Sequence, residues 1–373
     1  MATLCIVILI IASVLFIYEI YALIQSLLLR KKLPVESLDN YSLISVIIPA
    51  RNEGKKITAC LESICNVDYP PDKLEIIVVN DQSTDNTESI IQTFANKFKN
   101  LKLITITELP SDWSGKSNAC HTASESASGE YLCFIDADVI VKKQLFKQAV
   151  AYSINHDMGV LSLIPHMLAK SFIEKILLLP VFVMTATALR NSNTTLNGQF
   201  ILFKTSVYKS IGGHTLVKNT VAEDLEFAIY LSDKKYAVAF LFAEHLFDCR
   251  MYDSYNSLSK GISKMLLRLL RGNVFKALFL SSRYLIIMLG FISAIVLFFL
   301  QGITTISLLF LLLPVSVITL CIGLSIYFKI TPFWGLLMPI GWIYQPVFFY
   351  KSILGKYRHY YEWRGRRVYD NAN

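Results

Sequence analysis

The stretch Tyr131-Leu132-Cys133-Phe134-Ile135-Asp136-Ala137-Asp138 closes an apolar run with two carboxylates one residue apart. Acids at the tip of a buried strand need a cation to share, and residues two apart in an extended segment point to the same side. Asp136 and Asp138 therefore read as a pair facing one point beyond the strand. Hard oxygen ligands there suit Mg²⁺ or Mn²⁺, with positions left open for phosphate oxygens. Asp-x-Asp also recurs by chance and in turns, so the surrounding elements must carry the reading.

Those elements alternate. Ser45-Val46-Ile47-Ile48-Pro49, Glu75-Ile76-Ile77-Val78-Val79, Leu101 to Thr107 and Tyr131 to Ile135 are short apolar, β-rich runs. Between them lie helical patterns: Ile57, Leu61 and Ile64 after Arg51-Asn52-Glu53-Gly54, then Glu88 to Phe98, then Ser117 to Ser126. Asn80-Asp81-Gln82-Ser83-Thr84-Asp85 is a turn rich in N-cap residues, with Asp85 the better placed to cap the next helix. Continuous apolar strands separated by helices predict an α/β fold, its mainly parallel sheet covered on both faces. Such sheets bind ligands at the carboxyl ends of their strands. Glu53, Asp81 and Asp136/Asp138 all follow strands and so share one edge.

Four motifs in this order and spacing resemble the family 2 glycosyltransferases of the GT-A fold: Val46-Ile47-Ile48-Pro49-Ala50-Arg51-Asn52-Glu53, Val79-Asn80-Asp81-Gln82-Ser83-Thr84-Asp85, Gly115-Lys116-Ser117 and Asp136-Ala137-Asp138. The likeness runs from about residue 43 to 250. Arg250-Met251-Tyr252, the ending Tyr361-Glu362-Trp363-Arg364-Gly365-Arg366 and the anchored layout are similar to the staphylococcal-type carotenoid-acid (4,4'-diaponeurosporenoate) glucosyltransferases. The resemblance implies a nucleotide-sugar site. In it Asp81 accepts the imide N–H of uracil, Glu53 contacts ribose or uracil, and Pro49 and Ala50 shape the pocket wall. Lys116 lies near the diphosphate, Asp138 touches the metal, and Asp136 is shared between ribose and metal. Asp224 of the Glu223-Asp224 pair matches the general base of an inverting transfer, and Gly212-Gly213-His214 matches an acceptor-side loop. Plainer readings stand beside these. Asp81 can cap a turn, Glu53 and Glu223-Asp224 can be first-turn acids of helices, Lys116 can be a solvated lysine, and His214 can be structural.

Two familiar patterns are missing. Lys116 lacks the upstream glycine spacing of a Walker A loop. The Gln-x-x-Arg-Trp of processive polysaccharide synthases occurs at none of Trp113, Trp334, Trp342 or Trp363, which argues for one transfer per acceptor.

With 373 residues, 54% hydrophobic and only 17% charged, the chain is too apolar for a purely soluble enzyme. Leu4 to Leu29 is long enough to cross a core of ~30 Å. Tyr284 to Phe328, interrupted near Gln301-Gly302, reads as two spans. Phe333 to Tyr350 carries Pro339, Gly341 and Pro346 and reads as re-entrant or interfacial, which leaves the basic tail on the cytoplasmic side. The spans are read as free of acidic residues, which argues against a transporter. Met1-Ala2-Thr3 is uncharged and Arg30-Lys31-Lys32 follows the first apolar run. That order predicts an uncleaved anchor with the catalytic segment in the cytoplasm.

The expected layout is an anchor (1–32), a cytoplasmic catalytic domain (43–255), a basic interfacial helix (256–283), membrane segments (284–351) and a basic tail (352–373). Lys260, Lys264, Arg268 and Arg271 are expected on one face of that interfacial helix, beside Leu258, Ile262, Leu266, Leu269 and Leu270. Phe172 to Leu189 reads as an interfacial wall or a core helix, since Pro180 and Lys175 disfavour a full span. The +8 net charge suits an anionic leaflet and a phosphate-bearing substrate, not nucleic acid, because the excess sits in the membrane-flanking and tail clusters. The 7 cysteines are scattered without a Cys-x-x-Cys pair and read as reduced packing residues.

These expectations combine into a multi-pass cell-membrane enzyme that moves a hexose, glucose in the sharpest version, from a UDP-sugar to a lipid acceptor such as a carotenoid acid. Alternatives are another lipid acceptor (polyprenol, hopanoid or diacylglycerol), a polysaccharide synthase subunit, or a silent nucleotide-sugar-binding scaffold.

Overall fold

A computed structural model describes residues 2–189, 195–220, 222–358, 360–363 and 366–369. It divides into two compact units, one made of Arg30–Leu168, Ser192–Met251 and His359–Asn373, the other of Met1–Leu29, Ala169–Asn191 and Tyr252–Arg358.

The first unit contains strands β1 (Ile44–Ala50), β2 (Leu74–Asp81), β3 (Leu101–Ile106), β4 (Tyr131–Ile135), β5 (Val139–Val141), β6 (Val160–Ile164), β7 (His166–Met167), β8 (Phe200–Lys204), β9 (Val238–Phe242) and β10 (Phe247–Cys249). Its main sheet has the order β3-β2-β1-β4-β8-β6-β9. Only β8 runs against its neighbours, antiparallel to both β4 and β6, among the described residues. The sheet is therefore mainly parallel, as the uninterrupted apolar strands predict.

Alternate residues of each strand feed two cores. Val46, Ile48, Ile76 and Val78 pack with Ile57, Leu61 and Ile64 of the helix Ile57–Cys65. Ile47, Ile77 and Val79 pack with Ala119, Cys120 and Ala123 of the helix Gly115–Ser126, and with Phe227 and Leu231 of the helix Glu223–Asp233. A smaller sheet, β5-β10-β7, flanks the main one.

The loops after β1 and β2 are stitched together. Asn52 N–H donates to Ser83 Oγ (3.1 Å), Thr84 N–H to Asn52 Oδ1 (2.8 Å), Glu53 N–H to Thr87 Oγ1 (2.8 Å) and Gly54 N–H to Asp85 Oδ2 (3.0 Å). Asp85 accepts Thr87 N–H at 3.0 Å, but it stands one residue before the N-cap of helix Thr87–Lys97, which is Asn86. This stitching sets the carboxyl ends of two adjacent strands in one rigid edge.

Among the described residues of the second unit three helices are long and apolar enough to cross a membrane: Ala2–Leu28, Val274–Gln301 and Thr305–Tyr327. Gly302, at φ +62°, separates the latter two where the sequence predicts a turn. Phe333–Ile343 has 11 residues, too short to span ~30 Å at about 1.5 Å per residue. Phe172–Leu189 is a helix over the expected residues.

Two expectations need correction here. The basic helix predicted over 256–283 is not continuous. It ends at Leu269, Arg271 and Gly272 take positive φ, and Asn273 caps a new helix by accepting Lys276 N–H (2.9 Å). Lys260, Lys264 and Arg268 thus ride one helix, whereas Arg271 lies beyond its end. The apolar spans are also not free of acid. Glu19 is fully buried within Ala2–Leu28, 2.9 Å from Arg283, and accepts the Tyr284 hydroxyl at 2.5 Å. One acid in an otherwise greasy run is outweighed in any average over the segment. All seven cysteines are free thiols.

Candidate functional site

The carboxyl edge of β1, β2 and β4 gathers most of the residues singled out by their chemistry. Pro49 and Ala50 end β1, in register with Val79 and Asn80. Asp81 ends β2 and is buried. Arg51 donates from Nη1 to the carbonyls of Asp81 (2.8 Å) and Gln82 (2.9 Å), fixing this corner. Glu53 opens the loop beyond, its backbone N–H and carbonyl both used in the turn.

Asp136 and Asp138 depart from the expected geometry. The strand stops at Ile135, and Asp136-Ala137-Asp138 form a turn, Val139 N–H donating to Asp136 O at 3.3 Å. The pair is therefore not carried by extended backbone, and each carboxylate has a different lysine. Lys116 Nζ lies 2.7 Å from Asp136 Oδ1, whereas Lys56 Nζ lies 3.4 Å from Asp138 Oδ2. Lys56 also donates to the carbonyl of Arg250 at 3.1 Å, and Cys249 Sγ sits 3.5 Å from Asp138 Oδ1. Sequence reasoning passed over Lys56; its place three residues after Glu53, on the entry to a helix beside the strand edge, was the available signal.

Lys116 is the hub. Its position at the start of the helix Gly115–Ser126 lets it bridge Asp136 and, at 2.6 Å, Glu223 Oε1. Burial pulls its ammonium down, but Asp136 and Glu223 outweigh that and hold it well above the usual lysine value. Glu223 and Asp224 form the first turn of the helix Glu223–Asp233. Asp224 Oδ2 accepts Gly198 N–H (3.0 Å) and its Oδ1 accepts Leu225 N–H (2.9 Å). Burial, then repulsion from Glu223, pushes Asp224 up to about 6 while Lys116 opposes the rise. A Cβ on Gly198 would lie 3.2 Å from Asp224 Oδ2 and 3.4 Å from Lys116 Nζ. Gly198 therefore lines the same cluster, and the sequence reading missed it.

The Gly212-Gly213-His214 turn looks different from an open acceptor loop. Gly213 and His214 are buried. The His214 ring lies among Phe134 and Phe227, its Nδ1 2.7 Å from the Tyr208 hydroxyl. Burial lowers its pKa to about 3, so the ring is neutral at ordinary pH. Packing accounts for this turn: Gly212 and Gly213 supply the positive φ and His214 fills the core. Val221, His359, Arg364, Gly365 and 370–373, which belong to the motifs and tail read from sequence, lie outside the described residues.

The donor chemistry at Asp136 and Asp138 suits a hard divalent cation. Among the described residues no three His, Cys, Asp or Glu side chains group together as a closed metal cage. Two carboxylates on one turn would instead form an open site, completed by phosphate oxygens and water.

The profile of Glycosyl transferase family 2 matches residues 45–211. The probable glycosyltransferase YdaM of Bacillus subtilis is 40% identical over 103 residues, 28% of this chain and 24% of that one. The 4,4'-diaponeurosporenoate glycosyltransferase of Staphylococcus aureus is 27% identical over 248 residues, 64% of each chain. This chain thus spans about a quarter of the first relative's length and just under two-thirds of the second's. Among solved structures, the mannosyltransferase PcManGT from Pyrobaculum calidifontis, in complex with GDP-Man and Mn²⁺, superposes with a TM-score of 0.59 at 17% identity, covering 94% of this chain and 99% of that one. The likeness is one of fold, and that fold is GT-A.

Proposed function

We propose that this chain, whose residues 45–211 match the Glycosyl transferase family 2 profile, moves a hexose from a UDP-sugar to a membrane lipid with inversion at the anomeric carbon. The observation that carries the reading is the cluster Lys116, Asp136, Glu223 and Asp224, one cation shared by two acids beside a third whose proton affinity is raised. An acid with a pKa near 6, held by two backbone N–H groups, is matched to general-base work.

In the proposed step the acceptor hydroxyl attacks the anomeric carbon as the bond from that carbon to the diphosphate oxygen breaks. The acceptor proton passes to Asp224, and UDP leaves with the bonding electrons. Glu223 holds Lys116 toward the diphosphate, and Asp81 accepts the uracil imide N–H, with Pro49, Ala50 and Glu53 lining the nucleotide's path. Asp138, with Asp136, would hold Mg²⁺ or Mn²⁺, which when bound offsets charge on the diphosphate. A carboxylic-acid acceptor arrives already ionised, leaving Asp224 to orient it.

The acceptor reading draws on the three membrane-length helices and on the named activity of the staphylococcal relative. Glucose onto a carotenoid acid is the sharpest form, with the catalytic unit on the cytoplasmic side and Lys260, Lys264 and Arg268 at the anionic leaflet. The test is UDP release by the full chain in detergent, across UDP-sugars and extracted lipids, with and without Mn²⁺. Metal-dependent release from one sugar, raised by one lipid fraction and abolished in Asp224→Asn, supports it. A ladder of products would point to a polysaccharide synthase, and UDP binding without release to a silent scaffold.

A further inference from the structure

The C-terminal hairpin pairs Tyr360–Trp363 with Arg366–Tyr369, antiparallel, Trp363 opposite Arg366. From it Arg366 reaches a residue 285 positions earlier: its Nη1 lies 2.7 Å from Asp81 Oδ2. Its Nη2 donates to Gln82 Oε1, and Gln82 in turn donates from Nε2 to Thr107 O at 2.6 Å. The opposite side of the same corner is held by Arg51 through the Asp81 and Gln82 carbonyls. Beneath the ion pair sits Gly115, where a Cβ would lie 2.3 Å from Asp81 Oδ2 and 2.6 Å from Arg366 Nη1. A larger residue there would push the two side chains of the pair aside.

One oxygen is left over. Asp81 is 4% exposed, yet its Oδ1 is buried and has no hydrogen-bond partner among the described residues. A half-satisfied buried carboxylate is costly unless a donor arrives from outside the chain. Arg366 takes Oδ2 alone, so it sets the rotamer of Asp81 while leaving Oδ1 to a ligand N–H. A guanidinium that simply plugged the pocket would engage both oxygens in the bidentate way open to Arg and carboxylate.

We propose that Arg366 is a positioning residue for nucleotide recognition, holding Asp81 so that Oδ1 accepts the imide N–H of a uracil base. The inference rests on the UDP-sugar reading above and adds to it: the base pocket is completed by a hairpin from the far end of the chain.

The test is calorimetric binding of UDP and CDP to the full chain in detergent, for the wild type, Arg366→Ala and Arg366→Lys. Uracil offers an imide N–H at N3 and cytosine does not. Arg366→Ala is expected to weaken UDP binding by about tenfold or more and to bring the UDP/CDP ratio toward one, since a charge-assisted contact is lost. Arg366→Lys, which keeps the charge but not the fork, is expected to recover part of the preference. In turnover the loss falls on KM for the UDP-sugar, with kcat within about twofold. Equal weakening of UDP and CDP would reduce Arg366 to a structural tie and overturn the proposal. Tighter UDP binding in Arg366→Ala would overturn it in favour of an autoinhibitory plug. If the wild type binds neither nucleotide, the UDP-sugar reading fails and this proposal falls with it. If the wild type binds UDP and Arg366→Ala is unchanged, only this proposal falls. Thermal melting of each variant guards against loss through misfolding.

Discussion

Burial shifts Asp224 and His214 in opposite directions. Burial and Glu223 raise Asp224 to about 6, so in the proposed base role it would be ionised only above that pH. Turnover should then fall roughly tenfold per unit as pH drops below that point, and Asp224→Asn should cost about 10²–10⁴-fold in kcat. The neighbours give the sign a sharper check. Glu223→Gln removes a like charge and should move the acid limb of the pH–rate profile down. Lys116→Met removes the opposing cation and should move it up. A limb that stays put in both variants would remove Asp224 from the base role. His214 runs the other way. Its folded pKa, about 3, lies below the usual 6.5, so the neutral ring is the stabilising form. The associated stability is complete above 6.5 and is lost as pH falls toward 3, at up to about 1.4 kcal/mol per unit. His214→Phe should flatten the drop in melting temperature between pH 7.5 and 5.5 and leave UDP-sugar turnover within about threefold. Lost turnover in a variant that still melts cooperatively would return His214 to the site.

The elements that position these residues were legible to very different degrees, for physical reasons. β1, β2 and β4 are continuous apolar runs because both faces of the sheet are covered, and that pattern survives in one dimension. The Asp136-Ala137-Asp138 turn was not legible, since the same three residues fit a strand tip or a turn, and only the Val139 N–H to Asp136 O bond decides. Arg366 on Asp81 was out of reach altogether: a pair 285 residues apart leaves no periodicity to read. Close helix packing is equally silent in sequence. Gly290 of Val274–Gln301 sits where a Cβ would come 2.1 Å from the Ala12 Cβ of Ala2–Leu28. Gly290→Ala should therefore lower the melting temperature of the detergent-solubilised chain. The exchange Ala12→Gly with Gly290→Ala should restore most of it, because one methyl replaces the other in the same space. Independent, additive losses would show that the two positions do not share that space.

At the scale of the whole molecule, the buried Glu19–Arg283 pair decides what kind of membrane protein this is. An acid inside an apolar helix is a functional-site hypothesis by default, and here it would favour a path for protons or solutes. Its surroundings favour a tie. Glu19 is 2.9 Å from Arg283 and accepts the Tyr284 hydroxyl, and the Arg283 and Glu19 side chains are 3% and 0% exposed. A buried pair of this kind is costly to break from one side, about 3–5 kcal/mol, because the remaining charge is stranded, whereas replacing both partners by apolar residues of similar volume is often neutral. Glu19→Leu and Arg283→Met should each lower thermal stability strongly, and the double variant should regain most of the loss while keeping UDP-sugar turnover. Were the pair part of a translocation path, the double variant would fold and yet lose activity in sealed vesicles. Retained turnover in a stable double variant would leave the pair the simpler role of a tie between two apolar helices.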